Sequence, residues 1–387
     1  MRIGIVGSGI SGLCVATELQ RQGHEVEVLE SAEQFGGRAS VADGVEHCTR
    51  IMMDDYSRLG EILERIPSSD PAASIWQTLV PVRRMVYLER KGWLSLGNVY
   101  ALRGAGLSAR DRIELMRTRR RYPLLAREMR TDPLTGLRMV AQMSPASWLR
   151  IAAASLLVRG AQAFPGPTDA YLIDPWVDHL RSRGVTLRAE TRVERVRTSK
   201  DGSELCHSGE WHHYDAVAVA AFVPDTIKLL RASGIPYCLR VSNLGMVSCA
   251  SATFLVDEGE PIVRRHEQSL DEVFLYSGGG FLALYQPRLR RVVCASTRPG
   301  PDGVSLLLAT RRLLRLQLPI DPIGSRDNAD PASRIFAATP LRPDRITATA
   351  AVHLAGAYLS RRYPLDSGEA AARSAQLATK AMLRRAT

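Results

Sequence analysis

Lysine is almost missing from this 387-residue chain, with Lys91, Lys200, Lys228 and Lys380 the only examples among 51 basic residues. The other absences are equally informative. Six cysteines (Cys14, Cys48, Cys206, Cys238, Cys249, Cys294) form no Cys-x-x-Cys pair and no regular spacing. That excludes a disulfide framework and reads as buried thiols in a reducing cytosol. The longest apolar stretch, residues 148–158, is interrupted by Arg150 and falls short of the roughly 20 residues a membrane span needs. The apolar N-terminus is broken by Gly4, Gly7, Gly9 and Gly12 and lacks a small-residue cleavage pattern. A soluble, cytoplasmic protein is expected. Acidic residues are also in deficit: 40 against 51 basic ones leave a net charge of +11. That balance favours an anionic partner, whether nucleic acid, phosphate or a membrane surface. A composition 45% hydrophobic and 24% charged excludes a disordered or fibrous chain, and no repeat or low-complexity tract is present.

Order is most legible at the start. Residues 2–6 read as a short buried strand, and residues 11–22 as a helix stopped by Gly23, with Leu13, Ala16 and Leu19 at helical spacing. Residues 25–29 alternate charged and apolar side chains, the strand pattern. Strand, glycine turn, helix and strand form a βαβ unit, which predicts a parallel sheet. Residues 54–163 read as helical and arginine-rich, and 168–183 as an amphipathic helix. Strands follow at 186–189 and 192–198, with a hairpin turn at Asp201-Gly202. Residues 215–222 form a buried strand. Strand-like runs at 246–254, 281–285 and 292–296 precede a helix over 302–316. Residues 319–331 read as a polar connection, 351–355 as a strand, and 368–385 as a helix capped by Asp366 or Ser367.

The glycine turn carries the first chemistry. Gly7-Ser8-Gly9-Ile10-Ser11-Gly12 sits where strand hands over to helix. Gly7 permits the turn, Gly9 lets a diphosphate approach the backbone, and Gly12 lets helix and sheet close up, with phosphates facing the helical amides. Glu30 ends the second strand, where its carboxylate can accept from an adenosine ribose and repel the extra phosphate of NADP. The run continues to Phe35-Gly36-Gly37-Arg38. In this context it resembles the N-terminal signature of the flavin amine oxidase and phytoene desaturase superfamily. The resemblance implies FAD as cofactor, with Gly36, Gly37 and Arg38 around the diphosphate and Arg38 neutralising part of its charge. Residues 166–176, Gly184-Val185 and Thr191-Arg192-Val193 resemble a helix-to-strand element of carotenoid and squalene-type desaturases, which implies that Val193 meets the adenine through its backbone. His353–Tyr358 with Asp366-Ser367-Gly368 resembles the closing motif, in which a helix N-terminus lies near the flavin pyrimidine ring. The family's Gly-Asp is Gly356-Ala357 here, so one cofactor hydrogen bond is missing, and FAD is expected to bind more weakly at that point.

Amine oxidases of this superfamily hold a water near N5 with a lysine in the substrate domain. No lysine lies between Lys228 and Lys380. The chain is therefore closer to the carotenoid/squalene-type desaturases, whose substrates are apolar. In that branch the segment after Arg38 runs under the flavin. There His47 is a candidate acid/base, and Arg50 could orient an anionic group or stabilise a reduced flavin; both also fit structural hydrogen bonding. Cys206-His207 with His212-His213 is read as an exposed hairpin, not a metal site. Residues 110–130 form a basic stretch with interleaved leucines. It could lie on an anionic membrane or cover a substrate tunnel, and no nucleic-acid reader motif accompanies it.

The expected fold class is α/β: a Rossmann-like FAD-binding domain with a parallel sheet (1–60, 165–235, 336–387), plus a discontinuous α+β substrate-binding domain (61–164, 236–335). The expected function is an FAD-dependent oxidoreductase of dehydrogenase or desaturase type, passing hydride from a hydrophobic small molecule to the flavin N5. A flavin isomerase or cyclase without net redox change, and a catalytically silent binding protein, stay open beside it. Substrate and oligomeric state are not legible.

Overall fold

The computed structural model describes residues 1–53, 56–88, 92–96, 160–199, 201–237, 246–247, 249–278, 281–296, 303–318, 320–328, 335–336, 347–359 and 367–384. The basic stretch 110–130 and Asp366 lie outside the described residues.

Strand β1 (Arg2–Val6) leads through the glycine turn into helix α1 (Ile10–Gln20), and β2 (Glu25–Leu29) returns parallel to β1 with Ile5 opposite Val28. Leu13, Cys14, Val15, Ala16 and Leu19 are all fully buried, so α1 is a core helix rather than a surface one. The hairpin β3 (Val41–Ala42) and β4 (Val45–Glu46) precedes β5 (Met52–Met53) and helix α2 (Ser57–Leu63). The helical reading of 54–163 fails at 80–88, 92–96 and 161–163, while residues 97–159 lie outside the described residues. Those three ranges are the strands β6 (Val80–Leu88), β7 (Gly92–Leu96) and β8 (Ala161–Ala163). Arginines at 83 and 84 conceal the strand signal of Val80, Val82 and Val86. In the fold Arg84 is buried, and Arg83 Nε donates to Glu272 at 2.6 Å.

A π-helical turn (Asp169–Ile173) enters α3 (Asp174–Ser182), where a single helix was expected. Trp176, fully buried on α3, donates from Nε1 to Thr17 Oγ1 at 2.8 Å and so fastens α3 to α1. Next come β9 (Thr186–Arg188) and an antiparallel meander of β10 (Val193–Thr198), β11 (Ser203–His207) and β12 (Glu210–Tyr214). The buried strand β13 (Ala216–Val219) runs parallel to β1 and is followed by α4 (Val223–Ala232).

The second half supplies β14 (Met246–Val247), β15 (Cys249–Leu255), α5 (Pro261–His266), β16 (Val273–Gly278), β17 (Phe281–Gln286), β18 (Arg291–Ser296) and α6 (Gly303–Leu314). β19 (Asp321–Asn328) corrects the connection expected over 319–331: among the described residues it pairs with β15 along one side only. Its Pro322, Gly324 and acidic residues are the composition of an edge strand, which looks like loop in sequence. After β20 (Ile335–Phe336), β21 (Val352–Leu354) and α7 (Gly368–Leu383) close the chain.

Five parallel strands in the order β21-β13-β1-β2-β9 form one sheet. A nine-stranded mixed sheet runs β19-β15-β18-β17-β16-β6-β8-β5, with β7 paired to β6. In an open parallel sheet, ligands bind beyond the C-terminal ends of the strands. Here those ends carry the glycine turn (β1), Glu30 (β2) and Gly356 (after β21). Among the described residues no helix is long and apolar enough to cross a membrane.

Candidate active site

Gly7 has φ +96°, a left-handed conformation that lets the chain turn sharply out of β1. A Cβ on Gly12 would lie 2.0 Å from the Gly7 carbonyl oxygen, so only glycine allows this closeness of helix and turn. Gly9, the N-cap of α1, offers no side chain to the helical amides, and the first turn holds no acidic residue. These free N–H groups and the positive end of the helix are what a diphosphate requires.

The Gly36-Gly37-Arg38 turn lies directly over them. Gly9 and Gly36 form an isolated parallel bridge, and a Cβ on Gly37 would approach the Gly9 Cα at 3.2 Å. The Arg38 guanidinium stacks on the Phe222 ring at 4.9 Å, held beside the turn by a cation–π contact. Ser8, which the sequence reading passed over, is the fastener. Its N–H and hydroxyl donate to Glu30 Oε2 at 2.8 and 2.7 Å, and its Oγ accepts from Gly36 N–H at 3.2 Å. The other Glu30 oxygen accepts from Ala32 N–H at 3.0 Å and Ser31 Oγ at 3.3 Å. Glu30 is thus a buried hub that joins the end of β2 to both glycine turns. A Ser inside a Gly-x-Gly turn carries no such signal by itself.

At the closing motif, Gly356 N–H donates to Ser374 Oγ at 2.9 Å, and Ala357 is buried on a 3₁₀ turn. Ser367 caps α7, its Oγ accepting from Ala370 N–H at 3.2 Å. The fully buried Glu369 accepts from Leu59 N–H at 2.9 Å and Arg373 Nε at 2.6 Å, so α7 is tied to the start of α2. Ser11 turns its hydroxyl towards the Ala371 carbonyl at 3.5 Å. Val193 starts β10 opposite His207. The rings of His207 and His212 stack at 4.0 Å across the β11–β12 hairpin, and His207 is buried there, not exposed as expected. Burial and the neighbouring His212 hold His207 below the ordinary histidine range. Among the described residues no group of three or more His, Cys, Asp or Glu could hold a metal ion.

Beside the Arg38 turn lies a small, water-sized cavity, lined by Cys48, Arg50, Phe164, Leu284 and Val293 with the buried polar groups Glu46, Thr168 and Gln286. Residues 46, 48 and 50 alternate into it; His47, itself 2% exposed, is not part of the lining. Arg50 Nη2 donates to the Arg38 carbonyl at 3.0 Å, linking cavity and diphosphate turn. Glu46 accepts from Thr168 N–H and Oγ1 at 2.8 and 2.7 Å and faces Arg291 at 3.4 Å. Burial lowers the Arg291 pKa, and Glu46 opposes that shift.

An uncapped helix N-terminus at the end of β1, two interlocked glycine turns and an acid at the end of β2 define a dinucleotide-binding protein of the flavoprotein type. The same residues fit FAD: the stacked glycines leave no room for side chains where the backbone must meet the diphosphate. Residues 2–242 match the model of the FAD dependent oxidoreductase family, and the chain belongs to that family. Among curated proteins it is 51% identical over 37 residues to the flavin-dependent L-tryptophan oxidase RebO of Lentzea aerocolonigenes, covering 10% of this chain and 8% of that protein. It is 35% identical over 71 residues to the zeta-carotene desaturase of Synechocystis sp., covering 17% and 14%. The chain thus matches only a small part of the length of either relative. An oxidoreductase from Methanosarcina mazei shares the fold with a TM-score of 0.66 at 16% identity, over 98% of this chain and 100% of that one.

Proposed function

We propose that the protein is a dehydrogenase of the desaturase type that removes hydride from a C–H of a hydrophobic small molecule, with FAD supplying the two-electron acceptor when bound. The chain's own residues bind, orient and exclude water. The α1 amides behind Gly7, Gly9, Ser11 and Gly12, with Gly36, Gly37 and Arg38, hold the diphosphate. Glu30 accepts from the ribose, and Val193 meets the adenine. Gly356, Ala357 and Ser367 bring the α7 N-terminus to the flavin end. His47 holds or moves a proton, and Arg50 orients the reacting molecule. The FAD-binding domain gathers residues 1–60, 165–235 and 336–387 around the parallel sheet, and the remaining segments form the substrate domain.

The observation that carries this reading is the pair of interlocked glycine turns over the start of α1, with Arg50 bonded to the Arg38 carbonyl and the apolar side chains of Phe164, Leu284 and Val293 close by. Those three side chains support a hydrophobic substrate, and the lysine-free stretch between Lys228 and Lys380 supports the desaturase over the amine oxidase branch. The test is anaerobic bleaching of the flavin by candidate apolar compounds, with mass analysis of the product. Loss of two hydrogens supports the proposal. A product of unchanged mass points instead to an isomerase or cyclase. In the same assay, His47→Ala is expected to slow turnover; unchanged flavin reduction and product formation remove His47 from the mechanism.

A further inference from the structure

We infer that Ser374 is a positioning residue for the cofactor: its hydroxyl locks the closing turn at Gly356 and Ala357 onto helix α7, and so sets where the α7 N-terminus meets the flavin. This deepens the reading of α7 as the flavin end of the site and rests on it.

The bonding of one buried hydroxyl carries the assignment. Ser374 is fully buried, about two turns into α7. Its O–H is spent inside the helix, on the Ala371 carbonyl at 2.8 Å. That internal bond fixes the direction of the oxygen, which then accepts the Gly356 N–H at 2.9 Å. Among the described residues Gly356 N–H has no other acceptor. The turn has little freedom to find one. Its Gly356 carbonyl accepts from Leu359 N–H at 2.9 Å, and a Cβ at Gly356 would lie 2.2 Å from the ring of the buried Tyr358. The Ala371 carbonyl also faces α1, with Ser11 Oγ 3.5 Å away. The diphosphate turn and the closing turn therefore meet on the same short stretch of α7.

Position 357 gives the bond its weight. The aspartate of the motif it resembles would reach the cofactor with a side chain, and Ala357 cannot. The flavin end is then placed by backbone and by the α7 dipole alone. The positive end of a helix favours the negative charge of a reduced flavin over the neutral oxidised form. Slack between the closing turn and α7 therefore weakens reduced FAD more than oxidised FAD.

The test measures the FAD affinity of the apoprotein and the midpoint potential of the loaded protein. Ser374→Ala should bind oxidised FAD about tenfold more weakly, the scale of one lost buried hydrogen bond. Reduced FAD should weaken about a hundredfold, and the extra tenfold lowers the midpoint potential by about 30 mV. Should Ser374→Ala fail to fold, Ser374→Cys keeps a weak acceptor in place and should show a smaller fall of the same sign. Thr379→Val is the control: Thr379 is equally buried on α7, its hydroxyl has no partner, and neither quantity should move. An unchanged potential in Ser374→Ala, with or without weaker FAD binding, overturns the inference. So does an equal fall in Thr379→Val, which would mean general loosening of α7. Ser367→Asp keeps a cap but adds a negative charge at the α7 N-terminus, and should lower the potential. If it does not, the reading of α7 as the flavin end fails. If it does and Ser374→Ala does not, only the role of Ser374 fails.

Discussion

Replacing Arg291 with methionine removes the cation from a buried ion pair and leaves Glu46 facing an apolar side chain. Glu46 stands on β4, just after the Arg38 turn, and Arg291 on β18 of the nine-stranded sheet, so the pair ties the flavin-side hairpin to the other sheet. Their side chains are 3% and 4% exposed. Breaking such a pair by removing one partner costs about 3–5 kcal/mol, because an uncompensated charge stays behind. Glu46 keeps two short hydrogen bonds from Thr168, which places Arg291→Met near the lower end, about 3 kcal/mol. The double change Glu46→Gln with Arg291→Met removes both charges, so its cost should fall short of the sum of the singles by about 1–3 kcal/mol. Urea unfolding of the FAD-free wild type, both single variants and the double variant at neutral pH completes the cycle. Single losses below about 1 kcal/mol that simply add would refute the reasoning.

Three further outcomes are expected. Gly12→Val forces a side chain against the Gly7 carbonyl and should abolish FAD uptake; a variant that still copurifies with FAD counts against the turn as its seat. Ser8→Ala deletes the hydroxyl between Glu30 and Gly36 and should lower stability by about 1–2 kcal/mol while weakening FAD, measured by denaturation and by FAD titration; no change in either quantity means the fastener is incidental. His266, buried, stacked on Phe274 at 3.5 Å and 2.6 Å from Tyr276 Oη, is pushed down to about 4 by burial and by Arg265. The unfolded chain therefore takes up a proton that the folded protein refuses, so stability falls as pH drops from about 6.5 to about 4, by at most about 3 kcal/mol, and this contribution levels off below. His266→Asn should flatten that slope in a pH series of unfolding curves, and an unaltered slope would contradict it.

The first thirty residues were readable almost residue by residue, because βαβ punctuation is local. Gly7 and Gly12 mark the turn, and the alternation of Glu25–Leu29 marks β2. The C-terminal helix and its Ser367 cap were legible for the same reason. Strands β6 and β7 were not, since arginines at 83 and 84 hide an apolar period whose burial depends on partners far along the chain, Glu272 among them. β19 was missed because an edge strand tolerates the proline and glycine that elsewhere signal a loop. At the site, Arg50 was legible as a candidate group, but the pairing of the neighbouring Glu46 was not. That emerges only when β4 and β18 meet and Arg291, 245 residues from Glu46, claims that carboxylate. The period of two over Glu46, Cys48 and Arg50 was the available clue to which side chains share the cavity.

The visible absorption spectrum of the purified protein, followed by release and identification of the cofactor, tests the central claim most directly. The two interlocked glycine turns, the uncapped α1 and the Glu30 hub predict a yellow protein that carries FAD, or takes it up when it is added, and a colourless Gly12→Val variant. A wild-type protein that stays colourless with excess FAD, or one that binds FAD equally well with Val at position 12, would contradict it.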